Sequence, residues 1–233
     1  MAQQKELYIK DMFAQIAPTY DLLNSLLSLR VHKRWRPVAV AAAELRPGGR
    51  VLDLATGTGD LALLLADTVG PDGLVVGADF CEPMLRRGQD KVRRRGDGAI
   101  RLALGCADHL PFATDSFDAA TMAFALRNVP DRPRCLRELA RVVRPGGWVV
   151  NLDLTTPRGW LEQPYRWYQD RFMPFVGGCI SGRREAYAYL PRSIQEFPPP
   201  ADIAGLFGEA GLEEVSWQSL TCGLATVHRG RKP

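Results

Sequence analysis

Between residues 8 and 27 the apolar side chains Ile9, Met12, Phe13, Ile16, Tyr20, Leu23 and Leu27 recur every three or four positions, the spacing that lines one face of an α-helix. The stretch predicts one or two amphipathic helices, interrupted at Pro18. A further helix is predicted over 32–45, ended by the turn chemistry of Pro47-Gly48-Gly49. From there the pattern changes. Short apolar runs at 50–55, 74–79, 100–104, 117–124 and 148–154 alternate with helical segments at 61–69, 83–95 and 132–143, which predicts βαβ units and a parallel sheet. Residues 155–200 break that rhythm with Trp160, Tyr165, Trp167, Tyr168, Phe172, Phe175, Gly177 and Gly178, and read as an insertion. The order resumes with a helix over 201–210 and strands over 212–218 and 224–228. No helix separates those two strands, so they are expected to pair antiparallel at the sheet edge. The expectation is one α/β domain with a Rossmann-like seven-stranded sheet, mostly parallel, and helices on both faces. Its parts would be a helical cap (1–46), a ligand-binding core (47–154), a substrate-side insertion (155–200) and a closing helix and hairpin (201–233).

Composition changes this picture little. A chain of 233 residues with 46% apolar and 24% charged residues is long enough for one full core and is ordinary for a globular protein. The net charge of +4 is scattered, with crowding at 91–95, at Arg183 and Arg184, and at 229–232. The first of these reads as a solvated helix end that complements the helix dipole. Basic residues are not interleaved with aromatics and no reader fold is apparent, which argues against a nucleic-acid partner. Five cysteines, at 81, 106, 135, 179 and 222, never fall in a C-x-x-C spacing; they suggest reduced thiols in a cytoplasmic setting, with no metal site. The start, Met1-Ala2-Gln3-Gln4-Lys5-Glu6, lacks a signal-peptide pattern. No run approaches the ~18 apolar residues of a spanning helix. Any membrane contact is expected to be peripheral, at the inner face of the cell membrane.

The chemistry concentrates in Val51-Leu52-Asp53-Leu54-Ala55-Thr56-Gly57-Thr58-Gly59-Asp60, a buried strand running into a glycine turn and then a helix. Gly57 and Gly59 allow unusual dihedrals and close backbone approach, Thr58 sits between them, and the helix after Gly59 offers free N–H groups where ligands of open α/β sheets bind. Asp79 closes the second strand about twenty residues on, where a carboxylate can accept both ribose hydroxyls. A dinucleotide is the rival ligand, but its third glycine would fall at Ala62. Asp53 and Asp60 would also crowd a pyrophosphate with negative charge. They suit a ligand with a positive centre and no phosphate, and S-adenosylmethionine is one, with Asp53 placed to meet its amino group. Downstream, Cys106-Ala107-Asp108 follows the third strand, where Asp108 offers an acceptor for the adenine amine; a solvated loop acid is the alternative. Arg144-Pro145-Gly146-Gly147 reads as a structural turn.

Together, Asp53-Leu54-Ala55-Thr56-Gly57-Thr58-Gly59, Asp79, Leu110-Pro111-Phe112, Phe117-Asp118 and Arg144-Pro145-Gly146-Gly147 resemble the class I methyltransferase signature. The flanking blocks are more specific. Met12-Phe13, Ile16-Ala17, Tyr20-Asp21-x-x-Asn24, Ser28-Leu29, His32 and Trp35-Arg36 resemble the menaquinone and ubiquinone C-methyltransferases, the MenG/UbiE type. So do Leu126-Arg127-Asn128-Val129, Tyr189-Leu190-Pro191-x-Ser193 with Phe197-Pro198, and Leu220-Thr221-x-Gly223 with His228-x-Gly230. Departures are Arg30 and Ala55, where glycine is common, Ala123, often Ser in ubiquinone-type members, and Cys106, where Asp or Asn usually precedes Ala107.

The resemblance implies transfer of a methyl group from S-adenosylmethionine to a ring carbon of a prenylated quinol, most closely demethylmenaquinol. A ubiquinone precursor, another small-molecule acceptor and a scaffold without turnover remain the competing readings. Carried over residue by residue, it makes Tyr20, Arg127 and Asn128 the catalytic candidates. Arg127 would stabilise developing phenolate charge, with Tyr20 and Asn128 orienting the ring oxygens; helix packing, an ion pair and a turn residue are the respective alternatives. His32 and His228 are further proton-handling candidates, each against a packing role. A prenyl tail implies a membrane surface, met by the apolar face of the first helix or by the aromatics near 160–175; core packing or a homodimer contact is the alternative.

Overall fold

The structure of the chain, a computed structural model, describes residues 2–28, 30–96, 98–157, 159–172 and 184–233. Leu29, Phe175, Gly177, Gly178, Cys179 and Arg183, singled out above, lie outside these. The amphipathic start forms α1 (Ala2–Ile16), a 3₁₀ turn at Ala17–Thr19 holding Pro18, and α2 (Tyr20–Leu27). Met12, Ile16, Leu23 and Leu27 from the expected stripe cluster together. Helix α3 (His32–Ala42) follows.

The sheet comprises β1 (Arg50–Leu54), β2 (Leu74–Asp79), β3 (Ile100–Leu104), β4 (Phe117–Ala123), β5 (Val143–Leu154), β6 (Glu213–Leu220) and β7 (Ala225–Arg231). Its order is β3-β2-β1-β4-β5-β7-β6. The chain reverses its march across the sheet between β1 and β4, and the crevice at such a reversal is where open α/β sheets bind ligands. Alternation along the buried strands feeds two core layers. Val51 and Val150 pack with Trp35, Leu61 and Leu65, from α3 and from α4 (Asp60–Val69). Leu52, Leu54 and Val149 face Leu136, Leu139, Ile203 and Phe207 on the other side, from α6 (Arg132–Val142) and the helix Pro200–Glu209. Helix α5 (Glu82–Arg95) follows β2.

The expected antiparallel hairpin at the sheet edge is present, with β7 as its inner strand. Strand β7 is antiparallel to both β5 and β6 and sits between them, leaving β6 at the edge. Strand β5 begins earlier than its apolar run. Gly146 donates to Lys232 O (2.8 Å) and Lys232 to Gly147 O (2.9 Å), so the Arg-Pro-Gly-Gly turn is drawn into the sheet. Glycine is required at 147, where a Cβ would lie 2.3 Å from Asp118 O. The aromatic insertion contains helices α7 (Glu162–Trp167) and α8 (Arg184–Gln195); Pro191 inside α8 and the crowding of aromatics hid their period.

Candidate active site

The chain leaves β1 through a turn of left-handed residues, Ala55 (φ +55°), Gly57 (φ +58°) and Gly59 (φ +82°). Gly59 is the N-cap of α4. Asp79, at the end of β2, anchors this turn: one carboxylate oxygen accepts from Gly57 N–H (2.8 Å) and the other from Cys81 N–H (2.8 Å). Burial pushes its pKa up to about 6, against the pull of those N–H donors. The turn opens on a cleft of about 820 Å³ that includes Asp79, Phe80, Met84, Cys106, Ala107 and Asp108 in its wall. Among the described residues, two carboxylates and no Lys, Arg or His line it. That charge pattern disfavours a pyrophosphate and fits an uncharged ribose and base beside a cationic sulfur. With backbone donors at Gly57, Cys81 and Phe80, the Asp79 carboxylate keeps acceptor capacity for a ribose hydroxyl, and Phe80 and Met84 add apolar surface to the same wall.

Three residues of the first motif lie behind this wall. Asp53 is 1% exposed and accepts from Thr56 Oγ1 (2.6 Å) and Thr121 Oγ1 (3.0 Å). Burial raises its pKa to about 7. It is absent from the cleft lining, so its visible work is to brace the turn rather than to meet an amino group. Thr58 donates to Asp21 Oδ1 (2.7 Å) and accepts from Lys91 Nζ (2.9 Å). Asp60, expected to favour a cationic ligand, is instead neutralised by Lys91 (2.6 Å) and Arg36 (3.2 Å). Lys91 also pairs with Asp21 at 2.7 Å. The four charges clamp α2 and α3 onto α4 and α5.

A second chamber of about 1060 Å³ adjoins the cleft and includes Tyr20, His32, Phe124, Arg127, Tyr165 and Tyr168 in its wall. Tyr20 and Phe124 line both cavities and form a shared partition. Phe124 holds a left-handed φ of +59°, with its N–H bonded to Leu152 O (2.7 Å) and the Arg36 guanidinium 5.5 Å from its ring centre. An aromatic residue in that region is strained, and strain of this kind gathers at functional sites. Burial pushes the Tyr20 hydroxyl pKa up, opposed by a hydrogen bond with Asn24.

Sequence reasoning grouped Tyr20, Arg127 and Asn128; the structure divides them. Arg127 lies in the chamber wall and Asn128 in the cleft wall. Arg127 is ion-paired, as one reading allowed, but the pair is buried: Nη1 donates to Asp153 Oδ1 at 2.6 Å and to Phe124 O, and its backbone N–H to Asp153 Oδ2 at 3.0 Å. Asp153 went unnoticed, although a carboxylate inside the apolar run of β5 was a visible signal. Asn128 Oδ1 accepts from Tyr189 Oη (3.2 Å), and Tyr168 Oη donates to Leu27 O (2.5 Å), so the insertion is tied to both the site and the cap. His32 is buried in the chamber wall, with its pKa lowered to about 4 by burial first and by Arg36 second. His228 lines neither cavity. Its Nε2 lies 3.0 Å from Pro200 O, which favours its packing role. Among the described residues no cluster of His, Cys, Asp and Glu could hold a metal ion, and no helix is long and apolar enough to cross a membrane.

Comparison with known proteins agrees with this geometry. A profile of the ubiE/COQ5 methyltransferase family matches residues 1–232. The chain is 46% identical to a demethylmenaquinone methyltransferase of Thermus thermophilus, over 95% of this chain and 100% of that one. It is 43% identical to a ubiquinone/menaquinone biosynthesis C-methyltransferase of Geobacter sulfurreducens, over 96% and 88%. A solved SAM-dependent methyltransferase of Thermotoga maritima shares the fold, with a TM-score of 0.66, 19% identity and coverage of 96% and 99%.

Proposed function

Because the chain belongs to the ubiE/COQ5 methyltransferase family, we propose that it methylates a ring carbon of a prenylated quinol from S-adenosylmethionine, the acceptor being demethylmenaquinol. The observation that carries this is the pair of abutting cavities. One is phosphate-hostile and shaped around Asp79; the other is largely apolar and holds the buried guanidinium of Arg127, and among the described residues Tyr20 and Phe124 are the side chains that line both. Relatives named for demethylmenaquinone favour the naphthoquinone ring over the benzoquinone.

S-adenosylmethionine, when bound, supplies an electrophilic methyl group on a sulfonium. Asp79 grips the ribose, Cys106, Ala107 and Asp108 border the base, and Gly57 with Gly59 brings backbone against the amino-acid end. In the chamber, Arg127 stabilises the charge that grows on the quinol oxygen. Low dielectric there makes a fixed guanidinium worth far more than in water. Asp153 fixes its orientation. Tyr20 orients the ring from the partition, while Asn128, held by Tyr189, acts from the cofactor side. The apolar walls at Leu27, Trp35, Leu154 and Leu190 exclude water and accept the tail.

The tail also needs a surface to leave. Leu22, Leu26, Trp160 and Trp167 are exposed, and Leu26 and Trp167 are chain neighbours of the chamber residues Leu27 and Tyr168. Arg166 and Arg171 sit nearby in sequence. This rim docks on the face of an anionic membrane without crossing it.

Labelled methyl transfer to reduced demethylmenaquinone and to a reduced ubiquinone precursor, measured side by side, tests the reading. Transfer to the naphthoquinol at the higher kcat/KM is expected. Failure with both quinols, together with methylation of a soluble amine or alcohol, would overturn it.

A further inference from the structure

A carbon methylation of this kind needs a base, because the quinol must lose a phenolic proton before its ring carbon is nucleophilic. Arg127 is unsuited to that task. A guanidinium does not deprotonate in proteins, and this one is already bonded to Asp153 and Phe124. Asp153 spends both oxygens on Arg127. Among the described residues, the remaining ionisable groups of the chamber wall are a second guanidinium, Arg36, which is no better a base, three tyrosines and one imidazole, His32.

The surroundings of His32 fix its tautomer. Ser28 Oγ contacts two groups, Asn24 O at 2.5 Å and His32 Nδ1. A carbonyl oxygen only accepts, so the single hydroxyl proton of Ser28 goes to Asn24. The Nδ1 atom must then carry a proton and donate it to Ser28 Oγ, which leaves the lone pair on Nε2. Among the described residues Nε2 has no hydrogen-bond partner, and the ring lies in the chamber wall. All three residues of this relay sit within two adjoining helical segments, α2 with its C-cap and the start of α3.

We propose that His32 is the general base of the reaction, its Nε2 taking the phenolic proton of the quinol while Ser28 and the Asn24 carbonyl hold the ring in the required tautomer. This rests on the quinol reading above. The phenolic O–H bond breaks, its proton passes to Nε2 and its electron pair stays on oxygen. The ring carbon then forms its bond to the methyl group as the methyl–sulfur bond breaks, that pair remaining on sulfur. The ring carbon's own proton leaves to water and aromaticity returns. Nε2 gives its proton back to the oxygen, so one proton is released per turnover. The groups facing His32 set its working range. Arg36 and Lys33 on its own helix oppose its protonation, and Asp21 of α2 and Asp60 of α4 favour it. Arg127, Tyr20, Tyr165 and Tyr168 share the chamber wall with His32. The imidazole is therefore neutral at neutral pH, and the imidazolium formed in the reaction is favoured at longer range by the fields of Asp60 and Asp21.

The test uses the full chain with reduced demethylmenaquinone. Nitrogen-15 spectra of the resting protein should show His32 protonated at Nδ1, and Ser28→Ala should redistribute the two tautomers. His32→Ala and His32→Gln should bind S-adenosylhomocysteine within threefold of wild type while kcat falls by about 100-fold or more, the usual weight of general-base catalysis. Added imidazoles and small amines should rescue His32→Ala at rates that rise with the pKa of the added base, which a packing role would not produce. An Nε2-protonated ring, a His32→Gln enzyme within threefold of wild-type kcat, or rescue indifferent to base strength would each overturn the assignment. If His32→Ala does not fold, His32→Gln and the spectra decide. A wild-type protein that fails to methylate the quinol overturns the acceptor reading instead, and this assignment with it.

Discussion

Ala55 and Arg30 hold φ of +55° and +61°, the region glycine enters freely and other residues enter at a cost of about 1–2 kcal/mol. Both occupy positions where the resemblance implies glycine. Part of that strain is offset because glycine has more unfolded-state freedom to lose. Ala55→Gly and Arg30→Gly should each stabilise the fold by up to about 1 kcal/mol, a rise of roughly 2–4 °C in a chain of this size, read by thermal unfolding. A drop in Tm would mean that the side chains contribute more than the dihedrals cost. The two halves of the site separate cleanly at this scale. Asp79→Ala should weaken S-adenosylhomocysteine binding by about 100-fold, since charge-assisted hydrogen bonds contribute about 1.5–3 kcal/mol each. Arg127→Ala should leave calorimetric binding within threefold and lower kcat by about 100- to 1000-fold. The reverse pattern would exchange the roles of the two cavities. Because Asp79 titrates at about 6 and only its ionised form offers every lone pair, cofactor affinity should fall as pH drops through that value.

Among the elements, the clamp of Asp21, Lys91, Asp60 and Arg36 joins four helices at partly exposed positions. Lys91→Met removes its centre, leaving Asp60 with Arg36 and Asp21 with the Thr58 hydroxyl. Hydrogen exchange in α2 should quicken by about tenfold while β1 and β4 keep their protection; unchanged exchange in α2 would show that apolar packing alone seats the cap. The same elements show what the sequence could carry. The strands, the 3.6-residue stripe of α1 and α2, and the paired glycine and Asp79 positions follow from local periodicity and turn chemistry, so they were legible. Contacts between distant segments were not. Nothing local says that Asp60 meets Arg36 and Lys91, that Asp53 turns inward to Thr121, or that Asn128 and Arg127, adjacent in the chain, face different cavities. The short 3₁₀ turn Leu126–Asn128 makes that last division. Strand β7 was legible as a strand, but its insertion beside β5 depends on the whole sheet.

For the molecule as a whole, four buried ionisable groups oppose one another. The folded pKa values of Asp53 (about 7) and Asp79 (about 6) stand above the ordinary carboxylate value. The folded state therefore binds more protons than the unfolded state between about pH 4 and 7, and acidification through that window stabilises it. His32 and His228, both lowered to about 4, work the other way: their stabilisation is present above pH 6.5 and is lost as pH falls toward 4. Asp53→Asn removes one carboxylate whose protonation stabilises the fold on acidification, so its Tm should decline more steeply than wild type from pH 7 to 5. Parallel slopes would show that Asp53 is not shifted as described. The exposed rim makes a separate demand. Vesicles with about 30% anionic lipid should retain the wild-type chain and release a Trp160→Ala/Trp167→Ala double variant, with transfer to a tail-less quinol unaffected; equal retention would place the docking face elsewhere. The thin partition of Tyr20 and Phe124 has a pharmacological corollary. Where two compartments touch, one tethered compound bearing a nucleoside at one end and a hydroquinone mimic at the other gains an effective local concentration in the millimolar range for its second half. Such a bisubstrate inhibitor could outcompete either fragment by orders of magnitude without a single new contact.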